Sequence, residues 1–189
     1  LHYPLRRQRQ MCIRDSPILA LIGSPTELTK LQSDRLESQS GVDLITVDDP
    51  ASDVSQLLSR LRASAEIGKT VIGIRTTSRD GSAPDPLHAS QMLALIIDLA
   101  VECADSMQLD GIYASGGDVA FAVLDALGAR GYEVENEVVP LAVSGKLVGG
   151  PHDGLGFATK GGLVGDADAA VECINQLRSR IRQSEPRIV

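Results

Sequence analysis

The chain reads as an α/β protein with a mostly parallel sheet and helices on both faces. Three observations predict this. Short continuous apolar runs (residues 18–22, 44–47, 70–74 and 111–114) alternate with helix-period segments through the first two-thirds of the sequence. Such runs are what strands buried on both faces look like. Aromatics are only 3% with no Trp, so the core must be built from Leu, Ile, Val and Ala. Finally, Ser115-Gly116-Gly117-Asp118, Gly149-Gly150 and Lys160-Gly161-Gly162 form turns close together in sequence, at least two of which follow an apolar run and open a helix. Glycine lets a backbone approach a ligand closely, and a helix start supplies unpaired N–H donors and a positive dipole end. Together these give the pattern of a three-layer α/β domain that can bring backbone N–H groups up to a phosphate.

Composition narrows the field. At 189 residues there is room for one domain with a real core. A formal charge of −7 argues against nucleic acid or an anionic membrane as partner. Cys12, Cys103 and Cys173 are far apart and form no CxxC pattern, so neither a disulfide framework nor a zinc site is expected, and a reducing cytoplasm fits best. The longest apolar run, Met92 to Val101, is broken by Asp98 and reads as part of a core helix, too short to span a bilayer.

Residues 1–16 (LHYPLRRQRQMCIRDS) have no apolar period and no h-region, so a secretory signal is not expected. The string resembles translated adapter read-through, and it is set aside from the fold as a leader. On that expectation Pro17 is not a biological start and sequence upstream is missing. The domain is expected over residues 17–182, with 183–189 as a tail.

The elements follow in order. Ile18 to Ile22 is a first buried strand, and Gly23 turns the chain. Ser24 as cap, Pro25 at the first helical position and Glu27 completing a capping box open a helix, with Leu28, Leu31 and Leu36 inward. A strand at Leu44–Val47 leads to a helix around Asp53–Ile67, with Val54, Leu57, Leu58, Leu61 and Ala65 on one face. Thr70–Ile74 is the third strand. A polar loop from Thr76 to Pro86 precedes the helix that runs to about Met107. Gly111–Ala114 is the fourth strand, followed by a helix from Asp118 to Leu127. Tyr132 to Val138 alternates, with Glu133, Glu135 and Glu137 on one side, and reads as a half-exposed strand near a sheet edge. Strands at Ala142–Val148 and Leu155–Thr159 precede a last helix capped by Asp166, with Ala170, Cys173, Ile174, Leu177 and Ile181 inward.

The familiar nucleotide fingerprints are absent. Neither Gly145-Lys146 nor Thr159-Lys160 lies in a P-loop, and no GxGxxG follows a strand. The candidates are instead residues just after strands, where parallel sheets bind ligands. Ser24, Gly116, Gly117 and Lys160 qualify. Lys160 places an ammonium beside the bare backbone of Gly161 and Gly162. Asp118 has two readings, as helix N-cap or as a Mg²⁺ ligand. Gly149 and Gly150 are read equally as hairpin turns or as ligand contacts. His152-Asp153 lacks a Ser or Cys partner and reads as a solvated pair.

The motifs ASGGDVAFAVLDALG, VSGKLVGG and GLGFATKGGLVGD, in this order and spacing, resemble the nucleotide-binding C-terminal domain of the four-carbon acid sugar kinases. The leading LALIGSPTELTKLQ is similar to that domain's first strand and Gly-Ser turn. The resemblance covers roughly Pro17 to Arg182. Two departures are local: Pro140 precedes Leu141 where the family often has Pro-Gly, and Val164 stands where a Phe is common.

What the resemblance implies is ATP-dependent, Mg²⁺-assisted phosphorylation of sugar acids of the threonate or erythronate type. An upstream domain would bind the acid and supply the acidic catalytic residue; no aspartate-rich acceptor motif stands near the start of this chain. Ser24, Gly116, Gly117, Asp118, Gly149, Gly150, Lys160, Gly161, Gly162 and Gly165 would surround the nucleotide, with Asp118 as metal ligand. A homodimer is left open. Two other classes remain: a non-catalytic nucleotide-binding regulatory module, and a dinucleotide-binding oxidoreductase domain, which the missing GxGxxG disfavours.

Overall fold

Each apolar run becomes a strand whose side chains alternate between two buried faces, so each strand needs a helical layer on either side. The computed structural model describes residues 16–77 and 85–184. Along the chain lie β1 (Ile18–Ile22), α1 (Glu27–Glu37), β2 (Val42–Val47), α2 (Val54–Glu66), β3 (Val71–Thr76) and α3 (Pro86–Ser106). They are followed by β4 (Gly111–Ser115), α4 (Gly117–Ala126), β5 (Gly131–Val139), β6 (Ala142–Val148), β7 (Gly156–Lys160) and α5 (Ala169–Ser184). Residues 1–15 of the leader, most of the loop after β3, the side chain of Ile181 and residues 185–189 lie outside the described residues.

The strands form one seven-stranded sheet in the order β2-β3-β1-β4-β7-β6-β5. The first five are mutually parallel, and β6 is antiparallel to both β7 and β5. One face carries α2, α3 and α4, whose Leu61, Leu99 and Val123 pack on Leu19, Ile72, Ile112 and Phe157. The other face carries α1 and α5, where Leu36, Ile174 and Leu177 meet Ile18, Ala20, Tyr113 and Ala158. The three-layer α/β class expected from the sequence is the one observed.

Three local starts differ from expectation. Thr26, not Ser24, caps α1, accepting from the Thr29 N–H at 3.2 Å, so Pro25 lies before the cap. Gly116, not Asp118, holds the cap position of α4. Asp166 does not cap α5 directly: its carboxylate accepts from the Asp168 N–H at 3.0 Å and closes the turn before the helix begins at Ala169.

The inward stripe of α1 also differs. Its buried residues are Thr29, Gln32, Ser33 and Leu36, while Leu31 is 53% exposed.

β5 is the sheet edge, as its alternation predicts, but its acidic row is not simply solvated. Register shifts between Val134 and Asn136 and between Glu137 and Val139 bend the strand. Glu133 pairs with Lys146 at 3.2 Å and Glu135 with Arg180 of α5 at 2.7 Å. α3, at 21 residues, is long and apolar enough by length and composition to cross a membrane, longer than the run suggests. Its Met92, Leu95, Ile96, Leu99, Ala100 and Cys103 are buried in this core, which makes it a core helix here.

Candidate functional site

Five parallel strands end at one edge of the sheet, and the paths of the chain leaving that edge create the site. β1 and β7 flank β4. The chain leaving β1 enters α1 and that leaving β7 enters α5, both on one face, whereas β4 leads to α4 on the other. The backbone therefore diverges above the end of β4, the kind of crevice in which open α/β sheets take ligands. It is lined by the turn at Gly23-Ser24, the turn at Gly116-Gly117 and the loop beginning at Lys160.

The hydrogen-bond ladder closes up to the rim. The Gly23 N–H donates to the Ser115 carbonyl at 3.2 Å, and the Gly116 N–H to the Lys160 carbonyl at 3.0 Å. Gly116 has φ 115°, open to glycine and not to side-chain-bearing residues. No side chain caps α4, and a Cβ built on Gly117 would meet nothing within 4 Å. The first-turn N–H groups of α4 thus face open space beside bare backbone. Asp118 lies in that turn, exposed, and its carboxylate makes no hydrogen bond or ion pair among the described residues.

Lys160 is the unusual residue. Its side chain is only 2% exposed, and its Nζ donates to the Gly161 carbonyl at 2.9 Å. Among the described residues no carboxylate pairs with it. Burial lowers its pKa from the usual lysine value, with the nearby Cys173 opposing that shift. Burial also pushes the Cys173 thiol up to about 11, so at neutral pH it is uncharged and cannot be the counter-ion. Ser115, opposite Lys160 in the β4–β7 register, and Tyr113 are fully buried on the same face, and their hydroxyls have only each other, without a well-formed hydrogen bond. Burying an ammonium with a single backbone carbonyl as its partner and no counter-charge is costly.

Ser24 and the Lys160 loop touch. A Cβ on Gly162 would run into the Ser24 hydroxyl, and Gly165 has φ 77° against Ala169. Ser24, Gly116, Gly117, Asp118, Lys160, Gly161, Gly162 and Gly165 are therefore brought to the same edge. Gly149 and Gly150 are not. β6 runs antiparallel to β7 with Ala142 opposite Lys160, so its far end at Val148 lies six residues on, about 20 Å away. There the Gly149 N–H donates to Asp153 at 2.6 Å, and Gly150 lies against the Gly128 carbonyl. They are turn glycines of the opposite edge, where His152 also lies, 3.2 Å from Asp105.

Residues 19–170 match the family described as the nucleotide-binding C-terminal domain. The chain belongs to this family. Among curated relatives of this nucleotide-binding C-terminal domain, the D-erythronate kinase of Heliobacterium modesticaldum is 36% identical, covering 89% of this chain and 43% of that protein. The D-threonate kinase of Salmonella typhimurium is 27% identical, covering 79% and 40% respectively. The chain thus spans about two fifths of the length of these relatives. A crystal structure from Bordetella bronchiseptica, described as a domain of unknown function with bound citrate and a domain-swapped dimer, superposes with TM-score 0.74 at 26% identity. That match covers 86% of this chain and 41% of that one. A Haemophilus influenzae protein shares the fold at TM-score 0.69 and 16% identity.

Sequence reasoning did not single out Thr29, Gln32 or Tyr113, and took Ser115 only as the first residue of the Gly116-Gly117 turn. A signal for the first two was present: Thr26, Thr29 and Gln32 are polar at helical spacing, with Leu31 off that face.

Proposed function

We propose that this chain is the ATP-binding portion of a kinase that phosphorylates four-carbon sugar acids of the erythronate or threonate type. The observation that carries the reading is Lys160, a buried ammonium without a carboxylate partner, at the rim where three glycine-bearing turns converge. Phosphoryl transfer asks a protein mainly for positioning and charge neutralisation. The α4 N-terminus and Lys160 offer both to a polyphosphate. Asp118 offers one carboxylate, and among the described residues no cluster of three His, Cys, Asp or Glu side chains converges. That donor set suits Mg²⁺ shared between one carboxylate and phosphate oxygens, which is how this ion is usually held with nucleotides. The acceptor acid and the residue orienting its hydroxyl would come from a domain upstream, as the length of the relatives supports. Pairing of two copies is supported by the domain-swapped dimer of the Bordetella structure.

The test is calorimetric titration of the full chain with ATP, with and without Mg²⁺, beside Asp118→Asn. One-to-one binding is expected, with a Mg²⁺-dependent gain that shrinks in the variant. A folded sample that binds NAD but not ATP would overturn the reading.

A further inference from the structure

α1 is amphipathic the wrong way round for a helix packed on a core. Thr29, Gln32 and Ser33 are at most 2% exposed while Leu31 is half exposed. Ser33 donates back to the Lys30 carbonyl of its own helix at 2.8 Å, while Thr29 and Gln32 are spent on the loop between β7 and α5. Thr29 and Thr26 hydroxyls lie 2.8 and 3.1 Å from the Gly162 carbonyl. The Gln32 amide donates to the Val164 carbonyl at 2.9 Å and to the Asp166 carbonyl at 2.6 Å. One step further along, Arg35 holds the Asp168 carboxylate at 2.7 Å. Helix residues 26, 29, 32 and 35 therefore hold loop residues 162, 164, 166 and 168 in order.

We infer that Thr29 and Gln32 are positioning residues for anion binding, setting the peptide planes of the Lys160 loop. The inference rests on the nucleotide reading above. A trans peptide is planar, with its C=O and N–H on opposite sides. Turning the carbonyls of Gly162, Val164 and Asp166 toward α1 turns the N–H groups of Leu163, Gly165 and Ala167 away from it. Among the described residues none of those three N–H groups has an acceptor. These alternate N–H groups are left on the side of the loop away from α1 as donors for an anion. Gln32 shows what this arrangement requires. Both of its amide protons go to loop carbonyls, and its Oε1 is left buried with no partner. The opposite assignment would set an oxygen against two carbonyl oxygens, so the orientation is forced. An apolar side chain would fill the position without that penalty but would hold no carbonyl.

The test uses the full chain with MgATP and with pyrophosphate as probes, on Gln32→Met, Thr29→Val and Thr29→Ser. Gln32→Met keeps the approximate length without donors, and Thr29→Val keeps the shape without the hydroxyl. Affinity is expected to fall about tenfold or more for Gln32→Met and several-fold for Thr29→Val, and to return in Thr29→Ser to within about twofold of wild type. The backbone amide resonances of Leu163, Gly165 and Ala167 should shift or broaden in the two impaired variants without ligand, as the loop loses its fixed peptide planes. Wild-type affinity in a folded Gln32→Met protein overturns the inference alone. If wild type binds neither probe, the nucleotide reading falls first and this with it. Should Gln32→Met not fold, the Thr29 pair decides: equal affinities for Val and Ser overturn it.

Discussion

Replacing Gly117 by Ala separates a ligand-binding turn from a mere helix start. Gly117 is the first residue of α4, its φ is not in the left-handed region, and an added Cβ meets nothing within 4 Å. The folded protein therefore accommodates the methyl without strain. Alanine is the better helix former and has fewer unfolded conformations to lose, so stability should rise by about 0.4–1 kcal/mol. For a chain of this size that is an increase of roughly 1–4 °C in Tm. The same methyl occupies the space through which a phosphate oxygen would approach the first-turn N–H groups. Displacing it by even a fraction of an ångström forfeits charge-assisted hydrogen bonds, and a loss of at least about tenfold in MgATP affinity, some 1.4 kcal/mol, is expected. Stability and affinity thus move in opposite directions. Thermal melts and calorimetric titration on one preparation read both. A variant that melts higher and binds MgATP as well as wild type would refute the placement of phosphate at this turn.

Two further substitutions divide the rim from the far edge. Lys160→Met should raise Tm at pH 7 by removing an unpaired buried charge, while weakening MgATP binding by about tenfold or more. Burial lowers the Lys160 pKa in the fold, so between that lowered value and the ordinary 10.5 the unfolded chain holds more protons. Wild-type stability relative to Lys160→Met should therefore rise as pH climbs through that window and stay constant below it; a flat difference in urea melts up to pH 11 would contradict this. Gly150→Ala, at φ 81° with its methyl driven into the Gly128 carbonyl, should cost about 1–3 kcal/mol. The MgATP affinity of its folded fraction should stay within about twofold, and a larger loss would return the far turn to the site.

How much of this was legible in the sequence depended on the range of the interaction. Strands β1, β3 and β4 were visible because strands buried on both faces leave continuous apolar runs. The start of α2 was placed at Asp53 without being read as a cap, which it is: its carboxylate accepts from the Ser55 N–H at 2.8 Å. The grouping of Ser24, Gly116 and Lys160 followed from their common position after parallel strands. Gly149-Gly150 misled because proximity in sequence says nothing about strand direction, and one antiparallel turn sends them to the opposite edge. The α1 stripe was misread for a related reason. Leu36 is buried in the core as read, but Leu31 implies a burial face only if the helix packs on apolar neighbours throughout, and the first turns of α1 pack on a loop more than 130 residues away, as the Thr29–Gly162 and Gln32–Val164 contacts show. Lys160 gave no sign of its burial, since a lysine at a strand end is most often solvated.

The departures from local rules are not scattered. On the carboxyl edge stand a helix start without a side-chain cap at Gly116, a buried ammonium without a carboxylate partner at Lys160, Tyr113 and Ser115 hydroxyls with no well-formed hydrogen bond, and a polar core face on α1. Each is unfavourable taken alone, and each would be relieved by an ordinary apolar or capping residue. At the opposite edge the chain obeys the rules: Gly149 has its Asp153 acceptor and His152 its Asp105 partner. A fold that tolerates several such penalties in one place, and few elsewhere, carries them for something that place must do. An anion with several oxygens answers most of them together, because it accepts from exposed helix N–H groups and neutralises an ammonium at the same time. A neutral ligand would leave Lys160 as costly as before.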